Sequence, residues 1–147
     1  MKIELKNVTY NARLSEETAA FAATVYVDGK QRGEARNDGH GGMTLVYPQA
    51  LHDEIDAYAK TLPTVEAYGE HLQPDGDMVI GDILADYLTR KDLKRQLAKK
   101  TLFVREGKLY SMKMKGLRPK GAGAVVLNDL PFDEAVVVYV KLAEMSA

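Results

Sequence analysis

The sequence contains no cysteine, and this absence removes three kinds of chemistry at once. Disulfide bridges, thiol nucleophiles and zinc sites with cysteine ligands are all excluded. Long apolar runs are also missing, since no stretch approaches the roughly 20 residues that a membrane-spanning helix needs. Charged residues interrupt the first six positions, so we expect no signal peptide. The expected class is a cytoplasmic protein with no membrane partner.

Several short catalytic motifs are absent as well. None of the three serines lies in a Gly-x-Ser-x-Gly elbow, and the chain has no Walker A loop. Of the three histidines, His52 has a carboxylate, Asp56, one helical turn away, but such an isolated pair is typical of solvated helix surface. We therefore predict no metal site and no cofactor, and we assign no catalytic residue.

What the chain does contain is ordinary for a globular protein. With 147 residues, 46% of them hydrophobic and 28% charged, it is long enough to bury a core without disulfide bridges or metals. No internal repeat or low-complexity segment interrupts it. We predict a single α+β domain over residues 1–147, with an antiparallel sheet, two hairpins and three to four helices.

The clearest local pattern is a β-hairpin over residues 21–36, where apolar and polar residues alternate. A loop of two residues would put Val25 opposite Arg32 and mix core and charge on one face. A three-residue loop, 27–29, closed by a left-handed glycine, pairs Val25 with Gln31 instead, and we favour it. The apolar face is then mostly alanine and glycine, so the helix that follows could approach it closely.

Periodicity and turn residues predict the other elements. Residues 63–76 have turn chemistry and no clean period, so we expect a loop. A helix break is expected at 89–91, because the apolar stripe changes phase there. Residues 132–145 are β-prone, but Asp133 and Glu134 suit the first turn of a helix and favour that reading. The remaining predictions are a strand at 2–10 with a bulge near Lys6, helices at 48–62, 77–88 and 91–100 with Asp77 as a plausible N-cap, a second hairpin of the same kind with strands 101–105 and 108–115, and a short helix at 119–129.

Charge is divided unevenly along the chain. Residues 90–120 hold twelve basic and two acidic side chains, a net charge of +10, whereas the whole chain has −1 and the remainder therefore −11. Most of that negative charge lies just upstream, where residues 53–86 hold nine acidic side chains and one basic residue, Lys60. The basic segment is either a solvated face, an internal partner for the acidic one, or an anion site. Its candidate anion-binding residues are Lys91, Lys94, Arg95, Lys99, Arg105, Tyr110, Lys113, Lys115 and Arg118.

A second candidate site is the glycine-rich loop Asn37-Asp-Gly-His-Gly-Gly42. Its glycines would let backbone amides approach an anion, and Asp38 and His40 are candidate proton-transfer groups. The alternative is a flexible crossover loop that leaves the sheet. The loop-site residues are Asn37, Asp38, His40, Gly41 and Gly42.

The hairpin Phe21-x-Ala-x-Val-Tyr-Val-Asp-Gly-Lys30, the Asn37–Gly42 loop and the later basic Asp92-Leu-Lys-Arg95 together resemble small proteins of phages, prophages and integrative elements. Those proteins have no assigned activity. The resemblance implies a mobile-element setting and action by binding, including against host defence proteins, and it transfers no catalytic residue.

These observations favour a non-enzymatic binding protein whose ligand is polyanionic: nucleic acid, a nucleotide signal or a nucleic-acid-bearing defence complex. One alternative is a protein interaction module in which acidic and basic segments pair within a homodimer. The other is a small enzyme acting on a phosphate ester, with Asp38 and His40 as acid and base.

Overall fold

The computed structural model describes residues 1–145, with side chains except at Ala67 and from residue 143 onward. Within this range helices and strands are mixed, and all strand pairing is antiparallel, which confirms the α+β class. The chain clusters into two compact units, Met1–Ala85 and Asp86–Ala147. That residues 1–147 form a single domain stays a prediction. No helix in the described range is both long and apolar enough to cross a bilayer.

Unit 1 comprises β1 (Ile3–Asn11), β2 (Ala20–Val27), β3 (Lys30–Asn37), β4 (Leu45–Tyr47), α1 (Gln49–Ala59), β5 (Val65–Ala67), β6 (Glu70–Leu72) and the first part of α2 (Gly76–Lys99). Unit 2 comprises the rest of α2, β7 (Thr101–Arg105), β8 (Lys108–Met112), β9 (Val125–Val126), a 3-10 turn (Leu127–Asp129) and α3 (Phe132–Met145). The described strands form three sheets, in the orders β1-β2-β3-β4, β5-β6 and β8-β7-β9. The sequence predicted one antiparallel sheet. The pairing is antiparallel as predicted, but the described strands are divided among three sheets.

The β2–β3 hairpin has a two-residue turn, not the predicted three-residue loop. Asp28 and Gly29 both have positive φ, which is the turn whose twist matches that of the flanking strands. Val25 pairs with Gly33 and Tyr26 with Gln31, so Arg32 is an extra residue in a bulge. The bulge restores the alternation that a two-residue loop alone would have inverted. The predicted apolar face is therefore correct, although its pairs are shifted by two residues.

Helix α1 approaches this apolar face at Gly33, as the small residues predicted. A Cβ built on Gly33 would overlap the Tyr47 carbonyl oxygen and lie 2.8 Å from Leu51 Cδ2. Leu51, Ile55 and Ala59 are the buried residues of the helix. The helix is shorter than the predicted 48–62, because it begins after Pro48 at Gln49 and ends at Ala59.

Two further features of unit 1 concern turns. The predicted bulge in β1 is confirmed: its register shifts between Lys6 and Thr9. The segment 63–76 is not only a loop, since it contains the β5–β6 hairpin around Tyr68 and Gly69, both with positive φ. The β7–β8 hairpin turns through a third pair of positive-φ residues, Glu106 and Gly107, so its turn resembles that of β2–β3, but both are two-residue turns and not the predicted three-residue loops.

Helix α2 runs unbroken through residues 89–91, so the predicted break is wrong. The apolar stripe changes phase because the two halves are buried in different units: Ile80 and Leu84 in unit 1, Leu93 in the core of unit 2. The N-cap is Asp75, not Asp77, because the Asp75 carboxylate accepts the Met78 backbone N–H at 2.9 Å.

The core of unit 2 is built from Leu93, Leu102, Leu127, Ala135 and Val136. Three of these come from helices α2 and α3, which confirms the helix predicted at 132–145. The predicted short helix at 119–129 is wrong: residues 117–124 are irregular, followed by β9 and the 3-10 turn. Two glycines with positive φ, Gly121 and Gly123, explain why no helix forms there.

Candidate functional site

The arginines of the basic segment are engaged inside unit 2. Arg90 donates to Asp133 at 2.7 Å and to Asp86 at 2.9 Å. These two hydrogen bonds, the one to Asp133 first, raise the pKa of Arg90. Two other arginines have carboxylate partners of their own. Their pairs are Arg95 with Asp92 at 2.6 Å and Arg118 with Asp129 at 2.9 Å.

Arg105 is engaged by a carbonyl instead. Its Nη2 donates to the Lys120 carbonyl oxygen at 2.6 Å, and its guanidinium lies 5.5 Å from the centre of the Phe103 ring. Phe103 in turn stacks on Tyr110 across the strand pair, with ring centres 5.3 Å apart. Tyr110 is thus a packing partner of Phe103 as well as a partly exposed ring.

The lysines of the same segment are different. All eight are exposed, and none has an ion-pair partner among the described residues. A lysine ammonium is a compact charge on a flexible stem and suits phosphate as a point charge, whereas arginine suits fixed, forked pairing. The cations free to meet a ligand are therefore Lys91, Lys94, Lys99, Lys100, Lys108, Lys113, Lys115 and Lys120.

Two predicted site residues, Lys94 of α2 and Lys115 of the loop after β8, line one open pocket of about 280 Å³. Leu97, Ala98 and Phe132 supply its apolar lining. Two cations beside an apolar, partly aromatic wall can hold a phosphate and pack against a ring. The other predicted anion-binding residues do not line this pocket.

The buried side chain of Thr101 holds the loop that contains Lys115. This side chain is fully buried, and its hydroxyl lies 2.9 Å from the Leu117 carbonyl oxygen and 3.1 Å from that of Met114. Between these two contacts the chain turns through Gly116, at φ +91°. A buried hydroxyl that finds acceptors in one loop fixes that loop, and with it the base of the Lys115 side chain.

Helix α2 is held on the other side of the pocket by Asn128. Its amide group donates to the carbonyl oxygens of Lys100, at 2.8 Å, and Leu97, at 3.3 Å, and its oxygen accepts the Leu102 N–H at 2.9 Å. One side chain thus caps the helix end and joins it to β7. Sequence reasoning missed both Asn128 and Thr101, since single polar residues in a basic segment give no signal of their own.

The glycine-rich loop is organised by Asn37, which is 9% exposed. The Asn37 side-chain oxygen accepts the Thr18 hydroxyl at 2.8 Å and the Gly39 N–H at 2.9 Å, while its amide donates to the Gly42 carbonyl oxygen at 2.9 Å. The Gly41 N–H points to the Thr18 hydroxyl at 3.4 Å. Two of the amides that an anion would need are therefore already bonded within the chain.

The acid and base predicted in this loop do not form a pair. The Asp38 carboxylate accepts the His40 backbone N–H at 3.2 Å, and the His40 ring lies 3.8 Å from the Glu16 carboxylate. A Cβ on Gly41 would meet the Glu17 carboxylate. The glycines allow close packing against residues 14–18, and Glu16 and Glu17 disfavour an anion at the backbone amides of residues 40 and 41. This geometry is that of a connecting loop, and because β3 and β4 are antiparallel neighbours the loop returns to the same sheet instead of leaving it as the sequence predicted.

The same loop borders a pocket, and three of the five predicted loop-site residues, Asn37, Asp38 and Gly42, help to line it. It has a volume of about 560 Å³ and lies beside the loop that joins β3 to β4, with Arg36 and Asp38 next to apolar side chains. Met43 and Leu45 line it and are 58% and 43% exposed. Neither residue belongs to a motif, and sequence reasoning missed both; the β3–β4 register places Leu45 beside Arg36.

Several carboxylates of the acidic stretch upstream of residue 90 accept backbone N–H groups within unit 1. Asp56 accepts the Gly76 N–H at 2.7 Å, Asp77 accepts the Thr44 N–H at 2.9 Å, and Asp75 caps α2. Two of these carboxylates, Asp56 and Asp75, bond to backbone at the start of α2, and Asp77 bonds to backbone just before β4. Among the described residues no three His, Asp or Glu side chains come together as metal ligands.

Comparisons with protein-family models, with curated proteins and with solved structures returned no match to this chain. The resemblance to small mobile-element proteins therefore stays a prediction.

Proposed function

We propose that the protein is a non-enzymatic binding protein that holds a polyanion, nucleic acid in the first place, through the lysines of unit 2. The observation that carries the proposal is the division of the basic segment, in which each arginine is bonded inside the unit and eight lysines are exposed. A concentration of exposed, unpaired cations is the electrostatic feature expected of a surface that binds a polyanion.

The pocket between Lys94 and Lys115 is the proposed centre of that surface. Two ammonium groups would neutralise a phosphate, and the Phe132 ring with Leu97 would accept an adjoining base or sugar. Lys91 and Lys99 extend the charge along the exposed face of α2. Because lysines do not fix a planar fork, we expect phosphate recognition with little sequence preference.

Two observations favour this reading over the alternatives. Asp56, Asp75 and Asp77 bond to backbone amides of unit 1, so these three acidic groups have a role within their own unit that needs no second copy. Asp38 and His40 lack the mutual contact that a phosphate-ester enzyme would use. A mobile-element setting is compatible with the proposal and does not support it.

The test is binding of a fluorescent 20-nucleotide single-stranded DNA at low salt, followed by anisotropy. Reversing both pocket lysines, Lys94→Glu with Lys115→Glu, should weaken binding at least tenfold, because two attractions become repulsions. The matched control reverses Lys30 and Lys60, two exposed lysines of unit 1, and should change affinity much less.

Equal loss in the two double variants would show that only net charge matters and would remove the pocket from the proposal. Absence of binding by the wild type at 20 mM salt would overturn the nucleic-acid assignment itself. Circular dichroism spectra of both double variants should match the wild type, because all four lysines are exposed.

A further inference from the structure

The sheet of unit 1 has one buried face and one outer face, and the outer face contains a row of side chains across three strands. Ala22 of β2 pairs with Arg36 of β3, and Arg36 pairs with Leu45 of β4. All three are exposed. Alanine at the start of this row leaves room that a larger side chain would fill.

The space above Ala22 is the pocket of about 560 Å³ beside the loop that joins β3 to β4. Its apolar lining comes from Phe21, Ala22, Met43 and Leu45. Exposed Met43 and Leu45 follow each other at alternate positions, with Tyr47 two residues further, so they form one apolar strip on the outer face. The volume lies in the range of small-molecule sites, which are mostly apolar with a few converging polar groups.

The polar group that distinguishes this pocket is the Arg36 guanidinium. It lies 5.5 Å from the centre of the Tyr47 ring, and it has no ion-pair partner among the described residues. An arginine stacked on a ring keeps its hydrogen-bonding fork free at the edge, where it matches a carboxylate. Asp38, also at the pocket, keeps one negative charge nearby, fixed by the His40 N–H.

We infer that this pocket binds a small amphipathic carboxylate, with the apolar body on Ala22, Met43 and Leu45 and the carboxylate on Arg36. One guanidinium matches a single negative charge. A phosphate monoester carries almost two charges at neutral pH, and its second charge would be attracted by Arg36 but repelled by Asp38, so the two effects offset each other. The site belongs to unit 1 and does not depend on the polyanion proposal.

The experiment follows the methyl resonances of the methionines while 3-phenylpropanoate is titrated into the full-length protein. The Met43 methyl should shift and saturate. The neutral amide 3-phenylpropanamide should bind about tenfold more weakly, because a hydrogen bond to a charged group is lost. Propanoate, which lacks the ring, should leave the Met43 resonance unchanged.

Two variants separate the parts of the site. Ala22→Phe should abolish the Met43 shift by filling the pocket, while Gln31→Phe, the same bulk on an exposed position of β3, should not. Arg36→Gln should weaken the acid about tenfold and leave the amide unchanged. Lys30→Gln, an exposed cation on the same strand, should leave both unchanged.

Three results would overturn the inference. One is a Met43 methyl that does not respond to the acid; another is an Arg36→Gln variant that loses acid and amide affinity equally. The third is a response confined to Met114, which would show the acid at the lysines of unit 2 rather than at this pocket. If Ala22→Phe fails to fold, the Arg36→Gln comparison still decides.

Discussion

At the scale of single residues, two glycines of the first hairpin have different reasons to be glycine. Gly29 has φ +84° and open space around its Cα, so Gly29→Ala should cost only the left-handed conformation, about 1 kcal/mol. Gly33 packs against the Tyr47 carbonyl and Leu51, so the added methyl of Gly33→Ala should push β4 and α1 away from β3. We expect the free energy of unfolding to fall by about 3 kcal/mol or more. Urea denaturation of both variants measures the difference. Equal losses would show that the contact at Gly33 is loose.

Asp92 gives a prediction about pH. Its carboxylate accepts Arg95 at 2.6 Å, Gln96 at 2.7 Å and the Tyr139 hydroxyl at 3.3 Å, and these bonds, Arg95 first, lower its pKa. A lowered pKa in the folded state stabilises the protein above the unfolded value, about 3.9, and this stabilisation is lost as pH falls through the folded value. Asp92→Asn should therefore lower the free energy of unfolding at pH 7 and pH 5.

The difference between Asp92→Asn and the wild type should shrink as the pH falls below about 4, because the wild-type carboxylate then becomes protonated too. Asp82→Asn is the matched control: Asp82 is exposed on the same helix and has no bonded partner among the described residues. It should leave the free energy of unfolding at pH 7 close to the wild-type value, because it removes no hydrogen bond or ion pair among the described residues. An Asp92→Asn deficit as large at pH 3 as at pH 7 would mean that hydrogen bonding, and not charge, accounts for it.

At the scale of elements, the joint between α2 and β7 depends on Asn128. Asn128→Ala would leave the Leu102 N–H and two carbonyl oxygens at the helix end without their partner. We expect a loss of about 1–3 kcal/mol, since an unsatisfied buried group costs about that much. Faster hydrogen exchange at Leu102 should accompany the lower urea midpoint. Ser111→Ala, an exposed position of β8, should change neither quantity.

Which elements could be predicted follows from how local their causes are. The alternating faces of β2 and β3, the bulge in β1 and helix α3 depend on residues close in sequence, and all were predicted correctly. The sequence did not predict the bulge at Arg32. A two-residue turn without a bulge would pair Val25 with Arg32, and that mismatch favoured a longer loop over a bulge. The sequence predicted two helices in place of α2. The reason is that its apolar residues are buried in one unit before residues 89–91 and in the other unit after them, so the apolar pattern changes phase there.

The site follows the same rule. The basic character of residues 90–120 is visible in the sequence, but the division between bonded arginines and free lysines depends on Asp129 and Asp133, which lie outside that segment. The pocket around Arg36 depends on the β3–β4 register. Contacts that join distant segments leave no periodic signal, so neither feature could be predicted from spacing.

At the scale of the whole molecule, the remaining question is which anionic partner binds the exposed lysines. If nucleic acid does, affinity for single- or double-stranded DNA should fall steeply with salt, because each neutralised phosphate releases condensed counterions. A surface that contacts about four phosphates should give a slope near −3 to −4 in a plot of log affinity against log salt. Anisotropy titrations between 50 and 300 mM salt measure this slope.

A homodimer held by acidic and basic segments makes the opposite prediction. Its dissociation should increase with salt, and it should bind no DNA at any ionic strength, because the lysines would be covered. Sedimentation velocity at 50 and 500 mM salt, without DNA, tests this directly. We expect one species with the same sedimentation coefficient at both salts, since Asp56, Asp75 and Asp77 are occupied by backbone amides within their own unit. A dimer that separates at 500 mM salt and ignores DNA would replace the polyanion proposal with a self-association module.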